Sequence, residues 1–475
     1  MAKDFPENIK EAIPSAKRIA DARAKLKSAG VKYIFCCWID LLGVPKTKPV
    51  PLAEFENLCR GKGPQFAVHS VSMVPDAGPA DPDQIPIPDL DTLDICPWDS
   101  RFGWFVADLY HGDGKPYRLC PRTALRRQIK KAKDAGYKFF IGFEPEFILM
   151  RQLEDGTVWK AFDDQPPPGK GFRAARQAFG YDAEFSFDAM PFLSKVIDAL
   201  NERGWGVKDV VAEGAYSQYE LDFGYEDALT TADRFIFLRV MLKEMAKQQG
   251  LFVTFMPKPF TGDWRSAAHI NTSVQKPSRP GVNLLEAKDG GWSDLSYNML
   301  GGLIKHGAAL IGFICPTVNS YKGLVDRVPG FEGGTVTWAP THITYGINNR
   351  SAMFRLPQAR RAIENRASDL CMNVYLGFGM TIASSLEGIT KKLKPGKPTN
   401  ESLYDAPAEK LEKAGVKHVP LTLLAAIQAL ENDPLAKQVA GPVMLDCYLR
   451  YKRNEWDRFY TTVTEWEREE YLRFF

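Results

Sequence analysis

The sequence predicts an α+β protein with a small N-terminal unit and a larger C-terminal one. Three observations carry that expectation. Apolar runs of strand length, rich in aromatic and β-branched residues, recur at residues 33–39, 104–110 and 137–149. Between them lie stretches with apolar residues at helical spacing, such as Ile19, Ala22, Leu26 and Ala29. The chain has 475 residues, 45% of them hydrophobic and 25% charged, enough for two or three domains with a substantial core.

In chain order, residues 15–30 read as an amphipathic helix and residues 33–39 as a strand, after which Asp40-Leu41-Leu42-Gly43-Val44-Pro45 turns the chain back. Residues 74–97 carry Pro75, Pro79, Pro82, Pro86 and Pro88 among aspartates and are expected to be largely irregular. A strand at 104–110 ends in the turn Gly112-Asp113-Gly114, and the domain boundary is placed there, giving units 1–116 and 117–475. The second unit opens with a helix at about residues 123–135. Short strands and helices alternate beyond it, with helices near 189–203 and 228–249 and a polar, glycine-containing region at 275–293. The ending is helical at 421–431 and again within 443–474, and Gln165-Pro166-Pro167-Pro168-Gly169-Lys170 reads as a surface loop.

A formal net charge of only +3 implies no general attraction to nucleic acid or to an anionic membrane. No apolar run approaches the ~18 residues of a membrane span, and Met1-Ala2-Lys3-Asp4-Phe5-Pro6 lacks the apolar core of a signal peptide, so a cytoplasmic location is expected. Eight scattered cysteines without CxxC spacing suit buried free thiols better than a zinc site or a disulfide framework.

The stretch Gly142-Phe143-Glu144-Pro145-Glu146-Phe147 puts two carboxylates on one face of an apolar strand, because residues two apart share a face. Buried together they need a compensating cation, most simply a divalent metal held by oxygen ligands; outward-facing glutamates are the alternative. Pro145 cannot donate to a ladder and suggests an edge or a strand end. Glu213-Gly214-Ala215-Tyr216-Ser217-Gln218-Tyr219-Glu220 suits a turn that returns two further carboxylates to one site. His269, Asn271 and Ser273 alternate onto one strand face. Arg350, Arg355 and Arg366 lie among carboxylates and suit anion recognition through the guanidinium fork. Taken singly, each stretch equally fits a solvated loop, a core histidine or a structural ion pair.

In this order, with Met256-Pro257-Lys258-Pro259 before the histidine, Asn319-Ser320-Tyr321-Lys322, Asn349-Arg350-Ser351-Ala352 and Glu364 with Arg366, the stretches resemble the glutamine synthetase superfamily. The resemblance implies an N-terminal β-grasp domain and a catalytic domain of antiparallel strands flanked by helices, in a homo-oligomer, often a dodecamer, with sites between neighbouring subunits. It implies ATP and Mg²⁺ or Mn²⁺ as cofactors. Glu146, Glu213 and Glu220 would bind one ion and Glu144, His269 and Glu364 the second. Arg350 and Arg355 would stabilise a transferring phosphoryl group, with Arg350 and Arg366 also contacting substrate. Asn271, Ser273, Tyr225 and Arg355 would contact ATP, and Glu332, on a mobile flap, would take a proton from an attacking amine. Ser402-Leu403-Tyr404-Asp405 is similar to the loop that some relatives adenylylate.

Three departures bear on the substrate. Where the family carries an ammonium-binding aspartate, Phe66 is followed here by Ala67 and Val68. Trp264 and Arg265 replace a glycine- and serine-rich approach to His269. Gly323 stands where an arginine grips the α-carboxylate, with Arg327 as a substitute. The expectation is an ATP-dependent ligase joining glutamate to an organic amine, hydrophobic or aromatic like aniline. Alkylamine or polyamine ligase, ordinary glutamine synthetase and a non-catalytic relative are the alternatives.

Overall fold

In the computed structural model, which describes residues 6–70, 78–163, 167, 180–328 and 335–475, the apolar runs become the strands of two sheets. The N-terminal sheet holds β1 (Tyr33–Ile39), β2 (Pro45–Thr47), β3 (Val50–Pro51), β4 (Ile85–Ile95) and β5 (Phe102–Tyr110), in the order β2-β1-β5-β4 with β3 also on β1. The pair β1–β5 is parallel and the others are antiparallel. The helix Ala16–Ser28 starts at Ser15, whose side chain accepts from the Arg18 N–H, and buries Ile19, Ala22 and Leu26 in a small core with Ile34, Phe55 and Phe105.

The expectation of irregular chain over residues 74–97 is corrected by β4, an eleven-residue strand; residues 71–77 lie outside the described residues. β4 is an edge strand, with Pro86 opposite Leu109 and Pro88 opposite Ala107. Prolines two apart turn the same way, so both missing N–H groups fit on the side that has no partner strand.

The larger sheet is built from β6 (Lys138–Gln152), β7 (Val158–Lys160), β8 (Asp209–Ala212), β9 (Gln218–Asp222), β10 (Glu226–Asp227), β11 (Phe252–Thr254) and β12 (Ala268–Gln275). After a short ladder of β13 (Arg327–Val328) and β14 (Thr335–Val336), it continues with β15 (His342–Ile347), β16 (Ala352–Leu356), β17 (Ile363–Asn365) and β18 (Lys417–His418). The path is β18-β15-β16-β17-β12-β6-β9-β8, antiparallel except at β15–β16, with helices packed against it.

Pro145 lies inside β6 rather than at an edge or an end, which corrects that expectation too. The Glu146 N–H donates to the Ala267 carbonyl at 2.9 Å on the β12 side, so the neighbouring Pro145 nitrogen faces the opposite edge. There β6 changes partners, from β10 at Ile141 to β9 at Glu146, and no ladder bond is lost.

The helix Pro121–Asp134 joins the two sheets. Arg122, 1% exposed, donates to Asp108 at 2.9 Å, to Asp233 at 2.7 Å and to Asp89 at 2.9 Å. Asp89 and Asp108 belong to the N-terminal sheet and Asp233 to the helix Ala228–Lys247, so one guanidinium fastens three elements. We propose the division at 116/117 in the connector just before this helix, although the main core runs across it, from Trp38 and Trp104 to Phe237. Arg126 also pairs with Asp89 and, at 3.1 Å, with Asp108, so truncating Arg122 leaves buried Asp233, otherwise held by the Tyr375 hydroxyl at 2.8 Å, without a cation. Arg122→Met is predicted to cost about 3–5 kcal/mol in chemical denaturation; a loss below about 1 kcal/mol would contradict this role.

Candidate active site

Strand register sets the carboxylates. On β12 His269 stands opposite Glu144 of β6, on β9 Glu220 stands opposite Glu146, and on β17 Glu364 stands opposite Asn271. Cross-strand partners share a face, as do residues two apart. Glu144, Glu146, Glu220, His269, Asn271, Ser273 and Glu364 therefore project from one side of the sheet. Glu213 joins them from the β8–β9 turn, which is closed by the Glu213 N–H on the Gln218 carbonyl at 2.9 Å and by Ser217 at φ 64°.

The side chains converge. His269 Nδ1 lies 3.3 Å from Glu144 and 3.6 Å from Glu220, and Nε2 lies 3.8 Å from Glu146. Ligand atoms of Glu144, Glu220 and His269 fall within 4.8 Å of one another, as do those of Glu146, Glu213 and Glu220. Glu146 accepts from Gln218 at 3.0 Å and from the Ala267 N–H at 2.9 Å, whereas buried Glu220 Oε2 has no hydrogen-bond partner among the described residues. Burial, with Glu213 next to it, pushes Glu146 up to about 8. Burial, with Glu146 and Glu144, raises Glu220 well above the usual range, and burial also raises Glu213. Burial, reinforced by Arg366, keeps His269 low and so neutral, as a ligand must be. An orphaned buried carboxylate oxygen among mutually repelling carboxylates and one imidazole fits a hard divalent cation such as Mg²⁺ or Mn²⁺.

Glu364, fully buried, is in a different state. Arg355 reaches one of its oxygens at 2.8 Å and Arg366 the other at 2.5 Å. Burial pushes its carboxyl up, but Arg366 and Arg355 outweigh that and hold it at about 2. Arg360, which the sequence reading missed, bridges Glu144 at 2.7 Å, Asn271 at 2.9 Å and Glu364 at 3.3 Å. Its position four residues before Glu364 was the available signal.

The row faces a cavity of about 860 Å³, lined also by Arg350, Trp264, Trp338 and Tyr181. Tyr181 and Trp338 both hold positive φ, at 70° and 59°, and neither was singled out in the sequence. Trp264 lies flat against Gly214, where an added Cβ would meet its ring at 2.6 Å. Gly323 likewise makes room for Arg265, whose stem lies 2.7 Å from where a Cβ would be. The Arg265 guanidinium is held by the Ala367 carbonyl and by Asp369 at 3.6 Å.

Tyr225, exposed, meets Phe140 edge-on at 5.9 Å. Ala67 is exposed and Val68 is buried in the N-terminal unit; neither lines this cavity. Glu332 lies outside the described residues, and Arg327 is described by its backbone alone. The Tyr404 hydroxyl donates to the Ala339 carbonyl at 2.7 Å.

A sheet face of clustered carboxylates and one imidazole, rimmed by arginines, defines an enzyme that handles anionic substrates with divalent cations. The family model "Glutamine synthetase, catalytic domain" matches residues 118–471. Over 462 residues the chain is 35% identical to the glutamate–methylamine ligase of Methyloversatilis universalis, covering 96% of this chain and 99% of that one. It is 33% identical over 466 residues to a glutamine synthetase of Methanocaldococcus jannaschii, covering 94% and 96%. A solved ADP complex of GmaS superposes with a TM-score of 0.84 at 32% identity, covering 95% of this chain and 99% of that one. The chain belongs to the glutamine synthetase family, as an ATP-dependent ligase.

A carboxyl whose folded pKa is raised stabilises the fold below its ordinary range and loses that contribution as pH rises through the folded value. Glu146, at about 8, places that window between about pH 5 and 8 for the metal-free protein, and the raised Glu220 acts in the same direction. Cations favour the ionised forms. The rise in melting temperature on adding Mg²⁺ is therefore predicted to widen with pH across the window, and Glu220→Gln to shrink it. A Mg²⁺ effect that is flat or declines with pH would contradict the cluster's role.

Proposed function

We propose that the protein uses ATP to join the γ-carboxyl of glutamate to an organic amine through γ-glutamyl phosphate. The observation that carries this reading is the convergence of acidic side chains, one imidazole and five arginines on one cavity, in a chain aligned almost end to end with a glutamate–methylamine ligase.

Glu146, Glu213 and Glu220 would hold one Mg²⁺ or Mn²⁺, and Glu144, His269 and Glu364 a second, once Glu364 is freed from part of its arginine cover. Such ions, when bound, neutralise phosphate charge during phosphoryl transfer. Arg350 and Arg355 present their forks to the transferring phosphoryl group, and Arg366 fixes Glu364 and contacts the acyl donor. Asn271 and Ser273, further along β12 from His269, and Tyr225 beside them take ATP. Glu332, between β13 and β14, accepts the proton that the amine loses as it attacks the acyl phosphate.

The missing aspartate after Phe66 disfavours ammonia, and the methylamine-ligase relative favours a short alkylamine. Trp264 on the cavity wall favours the aromatic reading, an aniline-like amine. Ala67 and Val68, away from this cavity, would shape an amine site only from a neighbouring chain, in a homo-oligomer such as the dodecamer of the resemblance. Among the described residues no helix is long and apolar enough to cross a membrane.

The test is ATP- and glutamate-dependent phosphate release with Mg²⁺, using ammonia, methylamine, putrescine and aniline. One organic amine is predicted to exceed ammonia in kcat/KM by at least about tenfold, within what pocket contacts with one small group provide. Ammonia equal to or better than every amine would overturn the proposal. A winning methylamine would select the alkylamine reading, and a winning aniline the aromatic one.

A further inference from the structure

One wall of the cavity has no part in the roles above. Trp338 lines the cavity, is 49% exposed and holds φ 59°. A bulky residue at positive φ is strained and persists only where its surroundings enforce it. Here they do. Arg366 donates to the Trp338 carbonyl at 3.4 Å, and the Arg350 guanidinium sits 5.8 Å from the centre of the indole. Next along the chain, the Ala339 N–H donates to Thr337 Oγ1 at 3.2 Å, and the Ala339 carbonyl accepts from the Tyr404 hydroxyl at 2.7 Å. These contacts fix the backbone that carries the indole and leave about half of the side chain open. Trp264, the other tryptophan of the cavity, is committed against Gly214 beside Glu213.

We propose that Trp338 is the specificity-determining wall of the amine site, its open indole surface packing against the carbon substituent of a primary organic amine. Ammonia offers no such surface. A single methyl group against an apolar wall discriminates by about 10–200-fold, which is the selection that a ligase lacking a carboxylate for ammonium requires. The inference rests on the organic-amine reading above and assigns the selection to one residue.

The experiment measures kcat and KM for methylamine and for ammonia, with ATP, glutamate and Mg²⁺, in the full-length protein and in Trp338→Gly and Trp338→Asn. Both variants suit positive φ, so they remove the indole without adding strain, and thermal melting of each checks the fold. Methylamine kcat/KM is expected to fall at least about tenfold, mainly through KM. Ammonia is expected to stay within about threefold and the KM for glutamate to stay unchanged. Equal losses for both nucleophiles, a loss confined to glutamate, or full retention of methylamine selectivity would overturn the assignment while leaving the organic-amine reading intact. A wild-type protein that turns over ammonia at least as well as methylamine, putrescine and aniline would overturn both.

Discussion

Carboxylates buried side by side cannot all ionise without a cation among them, and this constraint shapes the central sheet. Glu146 and Glu220 are cross-strand partners, Glu144 faces His269, and Glu213 is returned to the same place by a hairpin turn. Like charges directly opposite one another on a ladder destabilise it. The protein nevertheless keeps them, and it leaves Glu220 Oε2 buried without a donor among the described residues. A fold selected for stability alone would have paired that oxygen. The arrangement makes physical sense as a scaffold whose charge balance is completed by bound ions.

Around this deficit of positive charge the chain distributes its arginines unevenly. Arg355, Arg360 and Arg366 converge on the Glu364 end of the row, and that end is held ionised. At the Glu146–Glu213–Glu220 end, burial outweighs the nearby Arg366, Arg265 and Arg350, and the carboxyls are raised. One end of the site is thus poised for anions and the other for cations, the polarity that moving a phosphoryl group between two carriers requires. Two departures that look independent in the sequence are joined in space, because Gly323 leaves the room that the stem of Arg265 fills. A side chain at 323 could not be added without displacing the stem of Arg265.

Much of this was legible in the sequence because it is local. Alternation puts Glu144 with Glu146, and His269 with Asn271, and glycine-containing spacing puts Glu213 near Glu220. Proline chemistry misled at two places for one reason, that a missing N–H matters only on a side with a partner. Pro86 and Pro88 sit on an edge strand, and Pro145 sits where β6 exchanges partners. The helix Val374–Lys391 escaped notice because it is buried nearly all round, so glycines, serines and apolar residues fill every face. Arg360 and Trp338 were missed because their roles depend on register and backbone conformation that no short motif encodes.

The central claim, that the buried cluster is completed by divalent cations, is tested most directly by calorimetric titration of the metal-free protein with Mn²⁺ in buffers of different ionisation heat at pH 7. Burial holds the Glu146 and Glu220 carboxyls above their ordinary range in the metal-free fold, and ligation favours the ionised forms. The account predicts saturable binding with net proton release, abolished or strongly weakened in Glu220→Gln. Binding without proton release, or no binding above that of the variant, would contradict it.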